Sequence, residues 1–365
     1  MAGDSLTLTL DESFRPLLSR NDVQTRPLRV VAIGGGTGLS TLLRGLKRFV
    51  ATPGVPSSPD DSPSDGESCI IRDLAAIVTV TDDGGSSGRL REDLKMLPPG
   101  DVRNCMVALS EDEHLLARLF QFRFNHGELQ GHSFGNLFLA ALSHITGDFA
   151  QAVQMSSQIL ATRVRIYPAT NTDVTLAACM DDGSIVQGET NITKSKHRIV
   201  ELMLQPPDAE PLPGALEAIA AADLITLGPG SLYTSLVTNL LVKGIPEALA
   251  SSHATRVYVC NLMTQANESL GLTASQHIEK ILQHAGKTTR RIFDYALINT
   301  GPISPVLLEK YAAEGQQPIE VDLDRVRALG VEPITGNFVH EGDLLRHDYD
   351  KVAERLLQLG LNEQR

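Results

Sequence analysis

The sequence predicts an α/β protein with a largely parallel sheet flanked by helices and a helical insertion near 100–160. Two observations carry this. Apolar, β-branched runs alternate with amphipathic helical stretches along most of the chain. Two of the runs, "LRVVAI" (28–33) and "ADLITLG" (222–228), lead into glycine-rich turns that open helices, as strands of buried parallel sheets do.

Taken in order, 28–33 reads as a strand, 38–49 as a helix and "LAAIVTV" (74–80) as a strand. Helices are expected over 101–109, 112–122, 134–145 and 148–160, and strands over 173–179 and 198–204. Then come a strand at 222–228, a helical stretch at 231–251 and a strand, "RVYVCNL", at 256–262. A helix at 275–285, strands at 295–299 and 331–336, and a closing helix at 349–359 complete the pattern. Residues 1–27 carry scattered charges without periodicity and read as a flexible extension. "TPGVPSSPDDSPSDGES" (52–68) has little to bury and reads as a disordered loop. One domain is expected over 28–345, with 346–365 forming a C-terminal helix packed on it.

The 365 residues are 42% apolar but only 4% aromatic and contain no Trp, so the core is aliphatic. A formal charge of −12 argues against a nucleic-acid binder, which needs clustered Lys and Arg for the phosphates. Any anion must then be held by backbone N–H groups and a few basic side chains. The four cysteines, Cys69, Cys105, Cys179 and Cys260, are far apart and form no C-x-x-C pair, so buried free thiols in a reducing compartment are expected. No apolar run is long enough for a membrane span, and no basic-then-apolar leader opens the chain; a cytoplasmic protein without membrane insertion is expected.

In open parallel sheets, ligands gather at the carboxyl ends of strands. The first such end is Gly34-Gly35-Gly36-Thr37-Gly38, with Ser40 just inside the helix. Glycine allows positive φ and close approach, and the helix N-terminus offers free N–H groups, which suits a phosphate. Position 39 is Leu39, so the third glycine of the dinucleotide fingerprint is missing, and no Gly-Lys-Ser/Thr follows. The second end, "VTVTDDGGSSGRLRED" (78–93), offers Asp82 and Asp83 as general bases or Mg²⁺ ligands, and Arg89 and Arg91 for phosphate or sugar oxygens. In "LPPGDVRNCMVALS" (97–110), Asp101 reads as a helix N-cap, which places Arg103 and Asn104 in the first turn. "LGPGSLYTSLVTNLL" (227–241) repeats the first turn's logic through Gly228, Gly230 and Ser231, so a ligand with two anionic parts, or one clasped from both sides, is expected. His132 and Asn136 in "QGHSFGNLFLAALSHITGD" (130–148), and Asn261, Thr264, Gln265 and Asn267 in "VCNLMTQANES" (259–269), can face a ligand or serve ordinary caps and loops.

In this order, "AIGGGTGLSTLLRGLK", "AIVTVTDDGGSSGRLR", "PPGDVRNCMVALS", "GHSFGNLFLAAL", "LGPGSLYTSLVTNLL" and "YVCNLMTQANES" closely resemble the YvcK-type gluconeogenesis factors. These share a superfamily with the 2-phospho-L-lactate transferases (CofD), and the resemblance spans roughly residues 28–345. It implies a Rossmann-like fold that binds a UDP-sugar such as UDP-N-acetylglucosamine and serves cell shape and wall synthesis during gluconeogenic growth. No enzymatic reaction is firmly attached to that branch. The CofD branch implies the alternative of Mg²⁺-dependent transfer of a phosphoryl-linked group from a nucleotide-activated donor. Carried onto this chain, Gly34, Gly35, Gly36, Thr37 and Gly38 meet the diphosphate, while Asp82 and Asp83 take a metal or ribose hydroxyls. Arg89, Arg103 and Asn104 approach the phosphates or sugar, Gly228, Gly230 and Ser231 close the other side, and Asn261 meets the base or sugar. A homo-oligomer and protein partners in wall synthesis are expected. An NAD-like dinucleotide is a further candidate ligand, although hydride transfer fits poorly without the third glycine.

Overall fold

The computed structural model describes residues 26–50, 70–110, 115–160, 162, 164–266, 268–286 and 291–363. Residues 1–25, the 52–68 loop, Cys69 and Asn267 lie outside them.

Seven parallel strands form the main sheet: β1 (Leu28–Gly34), β2 (Ile71–Val78), β3 (Arg165–Pro168), and, later in the chain, four more. Between β3 and these four, β4 (Thr175–Met180), β5 (Ile185–Gln187) and β6 (Ile199–Gln205) build a separate antiparallel sheet in the order β5-β4-β6. The main sheet resumes with β7 (Leu224–Leu227), β8 (Thr255–Val259), β9 (Tyr295–Asn299) and β10 (Glu332–Gly336). A hairpin of β11 (Val339–Glu341) and β12 (Leu345–His347) follows. The main sheet runs β10-β9-β8-β7-β1-β2-β3, so the order reverses at β1, and the crevice between β1 and β7 is the fold's switch point.

The α/β fold with a parallel sheet is thus observed. The central strands are buried along nearly their whole length because helices cover both faces, which is why they read as continuous apolar runs. Helix Gly36–Leu46 buries Leu39, Leu42, Leu43 and Leu46, a single stripe. That helix packs on helix Gly100–Leu109 and on the closing helix Tyr349–Asn362, with Gly45 pressed against the Tyr349 carbonyl. Among the described residues, five helices, from Gly85–Leu94 to Phe149–Ile159, lie between β2 and β3.

Three local expectations need correction. "GSSGRLREDL" (85–94) is a helix rather than a continued loop. Its glycines and serines are poor helix formers, but Ser86, Ser87 and Gly88 are buried and tertiary packing overrides propensity. The stretch 231–251 is not one helix: a π-helical turn, Leu232–Val237, and helix Thr238–Leu240 stop before Gly244, whose φ of 90° starts helix Ile245–Ser251 afresh. The strand expected to reach residue 262 ends at Val259. Among the described residues, no helix is long and apolar enough to cross a membrane.

Candidate functional site

The registers Gly34 with Val78 and Ile33 with Leu227 bring the carboxyl ends of β1, β2 and β7 level. Their loops emerge side by side around a cleft of about 550 Å³. Gly35, Gly36, Thr37 and Gly38 line it from β1, Gly230 and Ser231 from β7, Asp82 from β2, and Asn104 and Asn261 from further elements. Of the sequence-predicted residues, these nine and Gln265 meet at the cleft.

The glycines have separate jobs. Gly36 needs its φ of 60°, and a Cβ there would meet only Ser235 Oγ, at 3.9 Å, so this backbone is open to a ligand. A Cβ on Gly35 would lie 2.5 Å from Thr79 Cγ2 and 2.8 Å from Asp101 Oδ2. A Cβ on Gly38 would collide with the Pro229 carbonyl. Gly38 thus lets the two glycine turns touch. Buried Asn239 ties them again, donating to the Gly34 carbonyl (3.1 Å) and the Ser235 carbonyl (2.7 Å).

Each turn faces an internal carboxylate, in different ways. Asp101 is not the N-cap expected from sequence: Pro99 holds that position and Asp101 sits in the first turn, at the cleft wall. Burial, and then the charge of Asp82, push its carboxyl up to about 7, against the pull of a hydrogen bond from the Gly36 amide. In the 228–231 turn the loop after β8 engages the donors. Asn261 Oδ1 accepts from Gly230 N (3.3 Å), and Gln265 Nε2 donates to Ser231 Oγ (2.9 Å). Glu268 accepts from Tyr233 N (3.3 Å) and Thr234 Oγ1 (3.1 Å), and burial raises its carboxyl above the usual range.

Asp82 and Asp83 diverge. Asp82 Oδ1 accepts from Gly84 N (2.9 Å) and the residue lines the cleft. Asp83 Oδ1 instead accepts from Thr190 N (2.8 Å) and Thr190 Oγ1 (2.5 Å), anchoring helix Glu189–Lys194. That helix brings Glu189 into the cleft, where burial, then Asp101 and Asp82, hold its carboxyl well above the ordinary range. Among the described residues, the three-ligand cluster with metal-like spacing is Asp181, Asp182 and His197, exposed on the small antiparallel sheet.

The remaining predicted residues lie off the cleft lining. Gly34 ends β1, and its carbonyl also accepts from Thr79 N. Ser40 Oγ donates to the Thr37 carbonyl of its own helix. Gly228, with φ of 88°, packs near the Val259 carbonyl. Arg89, Arg103 and Asn136 gather elsewhere, around the 131–135 turn.

Several cleft residues gave no signal in the sequence. Arg346 and His347 reach the rim from β12 within an unremarkable "LLRHD" run, together with Tyr311. Among the described residues lining the cleft, Arg346 is the one Arg or Lys. Burial lowers His347 to about 4, so it is neutral, and its Nε2 donates to the Cys260 carbonyl at 3.1 Å. Asp101 was legible only as a helix cap, and Glu189 lies in helix Glu189–Lys194, which the sequence pattern did not mark. Of the described thiols, Cys105 and Cys260 are buried and Cys179 is half-buried; all three are free.

The sequence profile of the family described as "2-phospho-L-lactate transferase CofD" matches residues 30–339. A protein named "Gluconeogenesis factor" from Halalkalibacterium halodurans is 48% identical over 331 residues, covering 90% of this chain and 95% of its own. Another of that name, from Bacillus subtilis, is 44% identical over 333 residues, covering 91% and 98%. A crystal structure of a Bacillus halodurans protein superimposes with a TM-score of 0.83 at 48% identity, covering 91% of this chain and 100% of that one. The glycine turns, the switch-point crevice and the acidic cleft are therefore features of a chain that belongs to the gluconeogenesis factor family, within the CofD group.

Proposed function

We propose that the cleft binds a nucleotide-diphosphate sugar of the UDP-N-acetylglucosamine type and that the protein acts as a cytoplasmic regulator of cell-wall supply and cell shape under gluconeogenic growth. One observation carries the ligand chemistry: the open Gly36 backbone, at a helix N-terminus, shares a cleft of about 550 Å³ with Arg346. Amides and the helix dipole suit one phosphate, and a guanidinium suits a second. Asn104 and Asn261 offer amides for hydroxyls or a base edge. The regulatory role rests on the names of the relatives and on the resemblance described above.

The acidic lining favours a second reading, Mg²⁺-assisted transfer of a phosphoryl-linked group. Asp82 beside Asp101, whose carboxyl is raised to about 7 against the pull of Arg103, is an acidic pair whose repulsion is only partly offset. Such a donor set fits a hard cation shared with ligand phosphates. Asp82 and Asp101, rather than Asp83, would hold it, and the ion would supply charge stabilisation on the leaving phosphate.

The test is calorimetry with UDP-N-acetylglucosamine, with and without Mg²⁺, followed by mass spectrometry of the recovered ligand. Binding with intact ligand supports the regulator. Conversion of the ligand supports the transferase. No heat and no shift of the thermal midpoint at saturating ligand would sink the nucleotide-sugar reading.

A further inference from the structure

Three arginines converge on the turn before helix Phe134–Thr146, outside the cleft lining. Arg89 Nη2 donates to the Gln130 carbonyl at 2.8 Å, and Arg123 Nη1 to the next carbonyl, Gly131, at 2.5 Å. Arg103 crosses below: a Cβ on Gly135 would lie 2.9 Å from its Cγ and Cδ, and its Nη2 donates to Asn104 Oδ1 at 2.6 Å. A Cβ on Gly131 would lie 2.9 Å from Arg89 Nη2. Among the described residues each guanidinium therefore makes one hydrogen bond here, and its remaining N–H groups have no protein acceptor. None of the three forms an ion pair among the described residues, although Arg91, two positions from Arg89, pairs with Asp173.

Arg123 acts on Arg103, and Arg89 and Arg123 both act on His132. The Arg103 guanidinium is lowered by burial and then by Arg123, with Asp101 and Asp82 opposing from the cleft side. His132, buried in the same turn, is lowered by burial and then by Arg89, with Asp93 opposing and Arg123 adding to the fall. The N-terminus of helix Phe134–Thr146 adds its positive dipole end. Asp101 and Asp82 act on Arg103; Arg89 and Arg123 have no ion-pair partner among the described residues, and like charges held together in this way are costly unless an anion joins them.

The geometry points to a second anion-binding site, formed by Arg89, Arg103 and Arg123, that takes the phosphate or carboxylate of a small molecule. Arg89 and Arg123 are exposed and form its mouth, while half-buried Arg103 forms its floor toward Asn104 and the cleft. The site stands apart from the 34–38 turn, and it gives Arg89 and Arg103 a task together with Arg123 rather than at the nucleotide diphosphate. It goes beyond the nucleotide-sugar reading and does not depend on it.

The experiment is calorimetric titration of the full chain with pyrophosphate and, in parallel, with citrate, at fixed ionic strength. The unaltered chain is compared with Arg89→Ala/Arg123→Ala and with a control pair, Arg72→Ala/Arg325→Ala, that removes equal charge from other exposed positions. The affinity for at least one anion falls about tenfold or more in the first pair, the scale of a lost charge-assisted contact. It changes by less than about twofold in the control, which alters only screened surface charge. Which anion responds identifies the group. Equal losses in both pairs, or no anion binding by the unaltered chain, would overturn the site. Circular dichroism verifies folding, and if the double variant unfolds, Arg123→Gln, which keeps a donor for the Gly131 carbonyl, replaces it under the same criteria. Arg346→Ala separates the two claims: loss of UDP-sugar binding there with anion binding retained supports both sites, whereas anion binding without any UDP-sugar binding by the unaltered chain refutes only the cleft reading.

Discussion

The 34–38 and 228–231 turns follow one local recipe, an apolar strand, glycines, hydroxyls and a helix, yet they end in different states. The first faces Asp101, a single carboxyl raised to about 7 that accepts from the Gly36 amide, and the space beside Gly36 stays open. The second is closed from within: Asn261, Gln265 and Glu268 together engage Gly230, Ser231, Tyr233 and Thr234. A helix N-terminus attracts negative charge wherever that charge comes from. Here the loop after β8 supplies it, which makes the second turn a wall that positions the first.

The largest expected effect tests the titratable side of that contrast. The Asp101 carboxyl is raised from 3.8 to about 7, so the folded state holds a proton that the unfolded chain releases. Its contribution is fully present below about pH 4, declines as pH rises to about 7 and then stays lost, a fall on the order of 4 kcal/mol. In urea unfolding across this range, Asp101→Asn flattens that fall and stabilises the protein at pH 8; an unchanged pH profile would mean that Asp101 does not titrate in this window.

Next comes the contact between the turns. Gly38→Ala drives a methyl into the Pro229 carbonyl and is expected to cost about 3 kcal/mol, read from the urea midpoint. A change under about 0.5 kcal/mol would show that the turns can part freely. Arg346→Ala leaves the core intact and removes the cleft's cation, so UDP-N-acetylglucosamine binding weakens by about 2 kcal/mol, roughly 30-fold, at an unchanged midpoint. Binding at full strength would move the second phosphate's partner elsewhere. The smallest effect sharpens the closed turn: Glu268→Gln replaces one acceptor by a donor and destabilises by about 1 kcal/mol. If that variant is as stable as the parent, Glu268 is not the turn's cap.

The helices and strands that sequence periodicity marks are those whose burial is one-sided or complete, such as Leu39, Leu42, Leu43 and Leu46 on one helix face. Helix Gly85–Leu94 was illegible because its buried residues are Ser86, Ser87, Gly88 and Leu90, and one leucine makes no apolar period. The short strand β3 and hairpin β11–β12 offered too few residues for a pattern. In the cleft, the 34–38 turn was readable because local backbone chemistry makes it distinctive. Arg346, Glu189 and Asp101 were not, since a charged residue looks the same whether solvent or a cleft surrounds it.

The sequence by itself determined the α/β class, the places where strands hand over to helices through glycine, and the family, because local conformational preference and ordered motifs are written in neighbouring residues. Only the tertiary structure decided that β1 lies between β2 and β7, that adjacent Asp82 and Asp83 serve opposite directions, and that one glycine turn is open and the other capped. Those outcomes depend on partners such as Asn239 and Glu268, which lie far along the chain from what they touch. Such long-range contacts leave no periodic trace, and burial sets the charge state of a group like Asp101 only after they form.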